Sequence, residues 1–227
     1  MGVSRNRDNP GTMPAASKPG AVPWVGISAN SARTACTNAG KHLCTSKEWL
    51  GAANIQGVVY NLPTGAATAT RIPSSSSGDG DACNTYEAAD CNGKSMNSSY
   101  VIGSPGDACN TGNKTSCVSA EGVYDLIGNV HEWTNETVTS TCPCTGCSAS
   151  GGYCYPSDNG WYSATNANTT KYGNDGVYFS AGTNSRAVLR GGRWVGGAGA
   201  GVFYVYLDFD PTSTTFTLGF RCCSVPN

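Results

Sequence analysis

Two short blocks near the C terminus constrain this chain more than anything else in it. Arg190-Gly-Gly-Arg-Trp194 opens a segment of 23 residues that Leu218-Gly-Phe-Arg-Cys-Cys223 closes. Glycines set beside cations, aromatics and cysteines read as rigidly specified backbone. The interior, Val195 to Thr217, is dominated by small, aromatic and hydroxyl residues and shows no catalytic pattern. A fixed frame around a chemically permissive interior suits a surface whose contacts can change while the fold does not. That points to a binding protein.

The 227 residues are enough for one domain with a real core and an N-terminal arm. A net charge of -1 supplies no basic field for phosphate backbones, so nucleic acid is not an expected partner. Only 13% of residues are charged, against roughly 25% in ordinary globular domains. The polar surface therefore rests on Ser, Thr, Asn and Gly. Twelve cysteines point to an oxidising compartment and several disulfides. No apolar run is long enough to span a membrane. The start, Met1 to Arg7, has no apolar core and does not read as a signal peptide. The expected location is extracellular, at a cell surface or on a virion, reached by another export route, after loss of a leader, or on a larger particle.

Residues 1–22, with Pro10, Pro14 and Pro19, read as an extended arm, and 23–227 as the domain. Pro23 to Ile27 is expected as a short strand. Ser28 then caps a helix over about Ala29 to Ala39, which Gly40 ends. Thr45-Ser-Lys-Glu48 is a capping box that opens a second helix and turns Trp49 and Leu50 toward the core. From Thr64 to Cys117 the chain is loop-rich. There Gly80 to Thr85 recurs as Gly106 to Thr111, and Cys83/Cys91 and Cys109/Cys117 read as a pair of stapled loops. Gly201 to Phe209 is the best strand candidate.

Several motifs reduce to plain readings. Gly197 to Gly201 is no phosphate cradle, because a strand rather than a helix follows it. His42 and His131, the two histidines, have no G-x-S-x-G elbow to serve and read as structural. Cys142, Cys144, Cys147 and Cys154 could hold zinc as four thiolates, but their spacing is not that of paired C-x2-C knuckles, and disulfides are the favoured reading. The N-x-S/T sequons at Asn97, Asn113, Asn135 and Asn168 are within chance for this composition. Gly122-Val-Tyr-Asp125-Leu-Ile-Gly128-Asn-Val130-His-Glu132-Trp133 is a second strong block. Asp125 and Glu132 with turn carbonyls suit a hard cation such as calcium. A structural turn in which Glu132 caps neighbouring amides serves equally well.

These blocks, with Lys41-His-Leu-Cys-Thr-Ser-Lys-Glu-Trp49, resemble the formylglycine-generating, sulfatase-modifying family, a branch of the C-type lectin fold. The pattern runs in order over about residues 23–223: G-K-x-L-x-T-x-x-E-W, G-x-Y-D-x-x-G-N-V-x-E-W, R-G-G-x-W, then G-F-R-C. The fold it implies is α+β, loop-rich and disulfide-stapled. It also implies a structural Ca2+ site made by the Asp125 and Glu132 side chains with the Gly128 and Val130 carbonyls. A disulfide from Cys36 to Cys222 is implied too, and Cys44 with Cys223 is inferred beside it. His131 stands where the family usually has an aromatic. The family's oxidase needs two reactive cysteines soon after R-G-G, yet Trp194 to Tyr206 contains none, so no thiolate chemistry is expected.

The stretch from Arg190 to Cys223 is similar to the variable repeats of proteins diversified by retroelements, a second branch of this fold. Their randomised Asn codons become NNC, which never encodes Lys, Glu, Gln, Met or Trp. The chain holds 20 such residues in 227 but none among the 23 from 195 to 217, where about two are expected by chance. The resemblance implies a variable region over about 190–223 that displays Val195, Gly196, Gly199, Tyr206, Asp208, Phe209, Asp210, Ser213, Thr215, Phe216 and Thr217. It would bind a protein or another cell-surface ligand. The alternatives are a formylglycine-type oxidase and a carbohydrate-binding lectin, the latter lacking the usual E-P-N or Q-P-D tripeptide.

Overall fold

Local capping decides where the two helices begin. In α1 (Ala29–Asn38), the Ser28 hydroxyl accepts from the Ser31 amide, and Gly40 leaves the helix at φ +68°. In α2 (Ser46–Ala52), Thr45 and Glu48 form the reciprocal box expected from their spacing. This is a computed structural model that describes residues 8, 10–21, 23–53, 119, 121–139, 144–145, 151–156, 162–163, 175–180, 184–193 and 200–224. The stapled loops at Cys83/Cys91 and Cys109/Cys117 lie outside these, as do Cys142, Cys147, Trp194, Val195, Gly196 and Gly199.

The strands are β1 (His42–Leu43), β2 (His131–Thr139), β3 (Cys144–Thr145), β4 (Gly151–Pro156), β5 (Tyr162–Ser163), β6 (Val177–Ser180), β7 (Ser185–Arg190), β8 (Val205–Leu207), β9 (Leu218–Phe220) and β10 (Cys222–Cys223). Among the described residues they form an eight-stranded sheet in the order β3-β5-β4-β6-β8-β7-β2-β9 and a two-stranded one, β1-β10. The architecture is α+β with few regular elements, the C-type lectin class expected from the motifs. Two expectations need correction. Pro23 to Ile27 is no strand, since only an isolated bridge at Val25 forms there. Gly201 to Phe209 shrinks to β8, because Gly201 to Phe203 turn around the buried Asp175 carboxylate, which accepts from the Phe203 amide at 2.9 Å.

One face of the sheet packs on α1 through Ile27, Ala32, Ala35, Leu43, Trp133, Leu189 and Leu218. Small residues on α1 let the Trp133 indole fit beneath it, with its Nε1 donating to the Ile27 carbonyl at 2.7 Å. Other clusters gather Trp49, Leu126, Ile127, Val202 and Phe203, and Cys154, Val177, Phe179, Val188, Val205 and Leu207. A register shift in β2 between Trp133 and Thr137 frees three residues to clamp the helices. Arg33 donates to Asn135 at 2.7 Å, and the Glu136 carboxylate accepts from the Ser46 amide at the start of α2. The described part of the arm is tied down. The Ala15 amide donates to Ala35, Asn38 bonds the Gly11 and Met13 carbonyls, and Asp8 accepts from the Ser28 amide.

Disulfides Cys36–Cys222 and Cys44–Cys223 bind the end of the chain to α1 and β1 across separations of 186 and 179 residues. The two are nested. Once one is closed, the other shuts a circuit of only about ten residues, through 36–44 and 222–223. In the chain-entropy description, removing either pair alone therefore costs about 3 kcal/mol, and removing both about 8 kcal/mol. Denaturant titrations of Cys36→Ala/Cys222→Ala, Cys44→Ala/Cys223→Ala and the quadruple variant check this. Equal, additive losses of about 5 kcal/mol per pair would contradict it.

Candidate functional site

The frame is rigid for steric reasons. Gly191 and Gly192 sit at φ +80° and +79°, in the left-handed region that side chains avoid. A Cβ on Gly191 would lie 2.5 Å from the Leu126 carbonyl oxygen, and one on Gly192 2.5 Å from the Ala200 Cβ. Arg190 is buried and donates to the Ser46 hydroxyl at 3.0 Å, which joins the frame to α2. At the other end, a Cβ on Gly219 would meet Val130 at 2.8 Å. Both ends of the framed segment thus abut the block from Leu126 to Val130.

Across the sheet, register builds something that local sequence does not show. Tyr153 pairs with Tyr178, Tyr178 with Tyr206, Tyr206 with Leu189, and Leu189 with Trp133. One row of one face therefore runs from the core to solvent. Ring centroids are 5.0 Å apart for Tyr153–Tyr178 and 4.8 Å for Tyr178–Tyr206, the latter pair stacked within 19°. His131 stacks on Tyr206 and Tyr204 at 5.1 and 5.6 Å, and Phe209 lies 5.5 Å from Tyr206. Each such contact stabilises by roughly 0.5–1.5 kcal/mol beyond area burial, so the row is stiff. Its outer end is open: Tyr153 is 61% exposed.

Polar groups fix the row. The Asp208 carboxylate accepts from the Tyr206 hydroxyl at 3.3 Å and from Ser180, and Arg186 donates to the Asp208 carbonyl at 2.7 Å. Burial, with the Asp208 charge second, raises the Tyr206 phenol above its ordinary range. Burial and the neighbouring tyrosines raise Tyr204 likewise. Both phenols stay protonated and can donate.

Of the expected contact residues, the structure brings Tyr206, Asp208 and Phe209 into this row. Asp210, Ser213, Thr215, Phe216 and Thr217 belong instead to the following loop. Asp210 is engaged within it, as its carboxylate accepts from the Thr212 amide and hydroxyl at 2.8 and 2.6 Å. Hydrogen bonds from Thr212 hold that carboxyl below its usual range. The Gly26 amide donates to the Thr215 carbonyl, and the Asn30 amide to that of Pro211. Seven of these eight residues are partly exposed, and Thr217 is not. At 4% exposure, with its carbonyl bound to the His131 amide, Thr217 belongs to the frame and cannot serve as a displayed contact. Tyr153, Tyr178 and Tyr204 were missed. Their alternation within strands gives only a face, and the partner strands lie far apart in sequence.

The acidic block forms a tight turn with Asp125, Gly128 and Asn129 at positive φ. Glu132 does not present a free carboxylate there. Arg221 grips it through Nε to Oε2 and Nη2 to Oε1, both at 2.5 Å, and the Trp49 Nε1 donates to Oε2 at 2.6 Å. The edge through which a carboxylate would chelate calcium is taken here by a guanidinium, which an ion held by Asp125, Gly128, Val130 and Glu132 would have to displace. Among the described residues no group of three or more His, Cys, Asp or Glu could hold a metal, and Cys154 is disulfide-bonded rather than a thiolate.

The sequence profile of the sulfatase-modifying factor enzyme 1-like domain matches residues 2–225. The chain belongs to that family. Curated protein sequences give no match. Similar solved structures include the Major Tropism Determinant I1 variant (17% identity, TM-score 0.39), the P3c variant (17%, 0.40) and the U1 variant (16%, 0.40). Each alignment covers 86% of this chain and 37% of the other, so the chain spans little more than a third of those proteins.

The family member's buried histidine makes a pH prediction. Burial, with Arg193 second, lowers the His131 pKa from 6.5 to about 3, and its Nδ1 has no partner among the described residues. The folded state keeps the ring neutral while the unfolded chain protonates it. Stability from this group is complete above pH 6.5 and falls toward pH 3 by up to about 1.4 kcal/mol per unit. His131→Phe should flatten that limb, as read from denaturation midpoints between pH 7 and 4. An unchanged slope would contradict the assignment.

Proposed function

We propose that this chain is the ligand-binding variable protein of a diversity-generating retroelement, displaying a changeable surface on a fixed C-type lectin scaffold. One observation carries the reading. Tyr206, Asp208 and Phe209, from inside the framed segment, join Tyr178 and Tyr153 from the scaffold in one stiff aromatic row that ends in solvent. Tyrosines supply large contact area with few rotors, and a pre-ordered row lowers the ordering cost at binding. The partner is a protein or other ligand on a cell surface, met by an extracellular or virion-borne protein. No helix among the described residues is long and apolar enough to cross a membrane. An oxidase reading lacks its nucleophile, because Trp194 to Tyr206 has no cysteine.

The decisive experiment is to sequence the DNA flanking the gene. A near-identical template repeat should be present, with its differences at adenines confined to displayed codons such as those of Tyr206, Asp208 and Ser213. Codons for Gly191, Gly192 and Gly219 should be constant. Absence of any repeat, or variation at the frame glycines, would overturn the proposal. Once a target is in hand, Tyr153→Ser and Tyr206→Ser should each weaken binding on the order of tenfold or more in surface plasmon resonance. Tyr153→Ser should do so while lowering the melting temperature by no more than about 5 °C, since among the described residues only its one ring contact to Tyr178 is lost.

A further inference from the structure

We infer that the guanidinium of Arg221, and not calcium, is the cation that organises the turn from Asp125 to Glu132, so that the scaffold forms without a divalent ion. The inference concerns the scaffold and stands apart from what the surface binds. Two residues on this turn, Asp125 and Asn129, hold left-handed backbone at φ 58° and 57°. Strain of that kind persists only when the surroundings over-determine it. In a calcium-binding turn the ion supplies the constraint, drawing six to eight oxygens to one point. Here the convergence is on Arg221. Its Nη2 reaches the Tyr124 and Asp125 carbonyls at 3.3 Å each as well as Glu132 Oε1 at 2.5 Å, while Nε takes Glu132 Oε2. A fork of this geometry satisfies a carboxylate bidentately, as a point charge cannot.

Charge and covalent placement agree. Glu132 side-chain exposure is 9%, and the guanidinium neutralises its charge there. A divalent ion at the same carboxylate would face that guanidinium directly, with Asp125 as the second anion of the expected set. Arg221 cannot drift, because the next two residues are the cysteines bonded to Cys36 and Cys44, and its own carbonyl accepts from the Cys44 amide at 3.3 Å. The disulfides therefore deliver the cation to the turn.

The test is thermal unfolding of the oxidised chain in millimolar calcium chloride against excess EGTA, beside Glu132→Gln, Arg221→Lys and Arg221→Ala. Superimposable wild-type midpoints are expected. Arg221→Ala should lower the midpoint by on the order of 10 °C. Arg221→Lys, which keeps the charge but not the fork, should fall between. A calcium site with micromolar affinity would raise the midpoint by several degrees in millimolar calcium. Such a rise in the wild type, abolished by Glu132→Gln, would overturn the inference. A rise that survives Glu132→Gln arises from other residues and leaves Arg221 as the cation here. If Arg221→Ala does not fold, equilibrium dialysis of wild type and Glu132→Gln against calcium decides. Equal uptake supports the inference, and one ion fewer in Glu132→Gln overturns it.

Discussion

Three distant parts of the chain meet at the Glu132 carboxylate. Trp49 brings α2, Arg221 brings the C-terminal end between β9 and β10, and Glu132 itself lies on β2, which pairs with both β7 and β9. Buried ion pairs are a poor source of net stability, because desolvation offsets most of the attraction. Breaking one is another matter, since it strands a charge in the interior. The carboxylate thus acts as a latch: the arrangement that satisfies it is the one that also closes the two disulfides and seats the R-G-G and G-F-R blocks against residues 126–130. The frame of the segment from 195 to 217 follows from that closure.

The surface depends on the same arrangement through the sheet. β8 is inserted between β6 and β7, parallel to one and antiparallel to the other. Because alternate side chains share a face, this insertion puts Tyr206 in line with Tyr178 and Tyr153 on one side and Leu189 and Trp133 on the other. A slip of one residue would turn every tyrosine to the opposite face. The Asp175 carboxylate beneath the turn from Gly201 to Phe203 fixes where β8 starts, and so fixes that register. If the segment varies as proposed, its position is held mainly from outside it, by Asp175 and the frame glycines, with Asp208 as the internal tie.

Local chemistry was legible in the sequence and long-range pairing was not. Ser28 and the Thr45/Glu48 box marked both helix starts because capping needs only three or four neighbouring residues. The paired glycines at 191 and 192 marked rigidly specified backbone, and both hold positive φ. Pro23 to Ile27 looked like a strand from its apolar side chains, but Gly26 at φ +69° bends it and only Val25 makes a bridge. The Arg221 partner of Glu132 stands 89 residues away, beyond any spacing rule, so the acidic turn read as a metal site and the guanidinium on its carboxylate went unseen. Thr217 resembled its displayed neighbours in composition, and only burial separates it from them. The tyrosine row was invisible because it arises from three strands with unrelated local patterns.

The central claim is that sequence can change in the display while the frame tolerates nothing. It is tested most directly by measuring melting temperatures of two small libraries. In one, Ser213 and Thr215 are replaced by residues that NNC codons allow; in the other, Gly191, Gly192 and Gly219 are replaced by alanine. The first set should melt within about 4 °C of the parent, since partly exposed sites seldom cost more than about 1 kcal/mol. The second should lose roughly 10 °C or fail to fold, because each added Cβ meets an atom closer than contact allows. Comparable losses in both libraries would contradict the account.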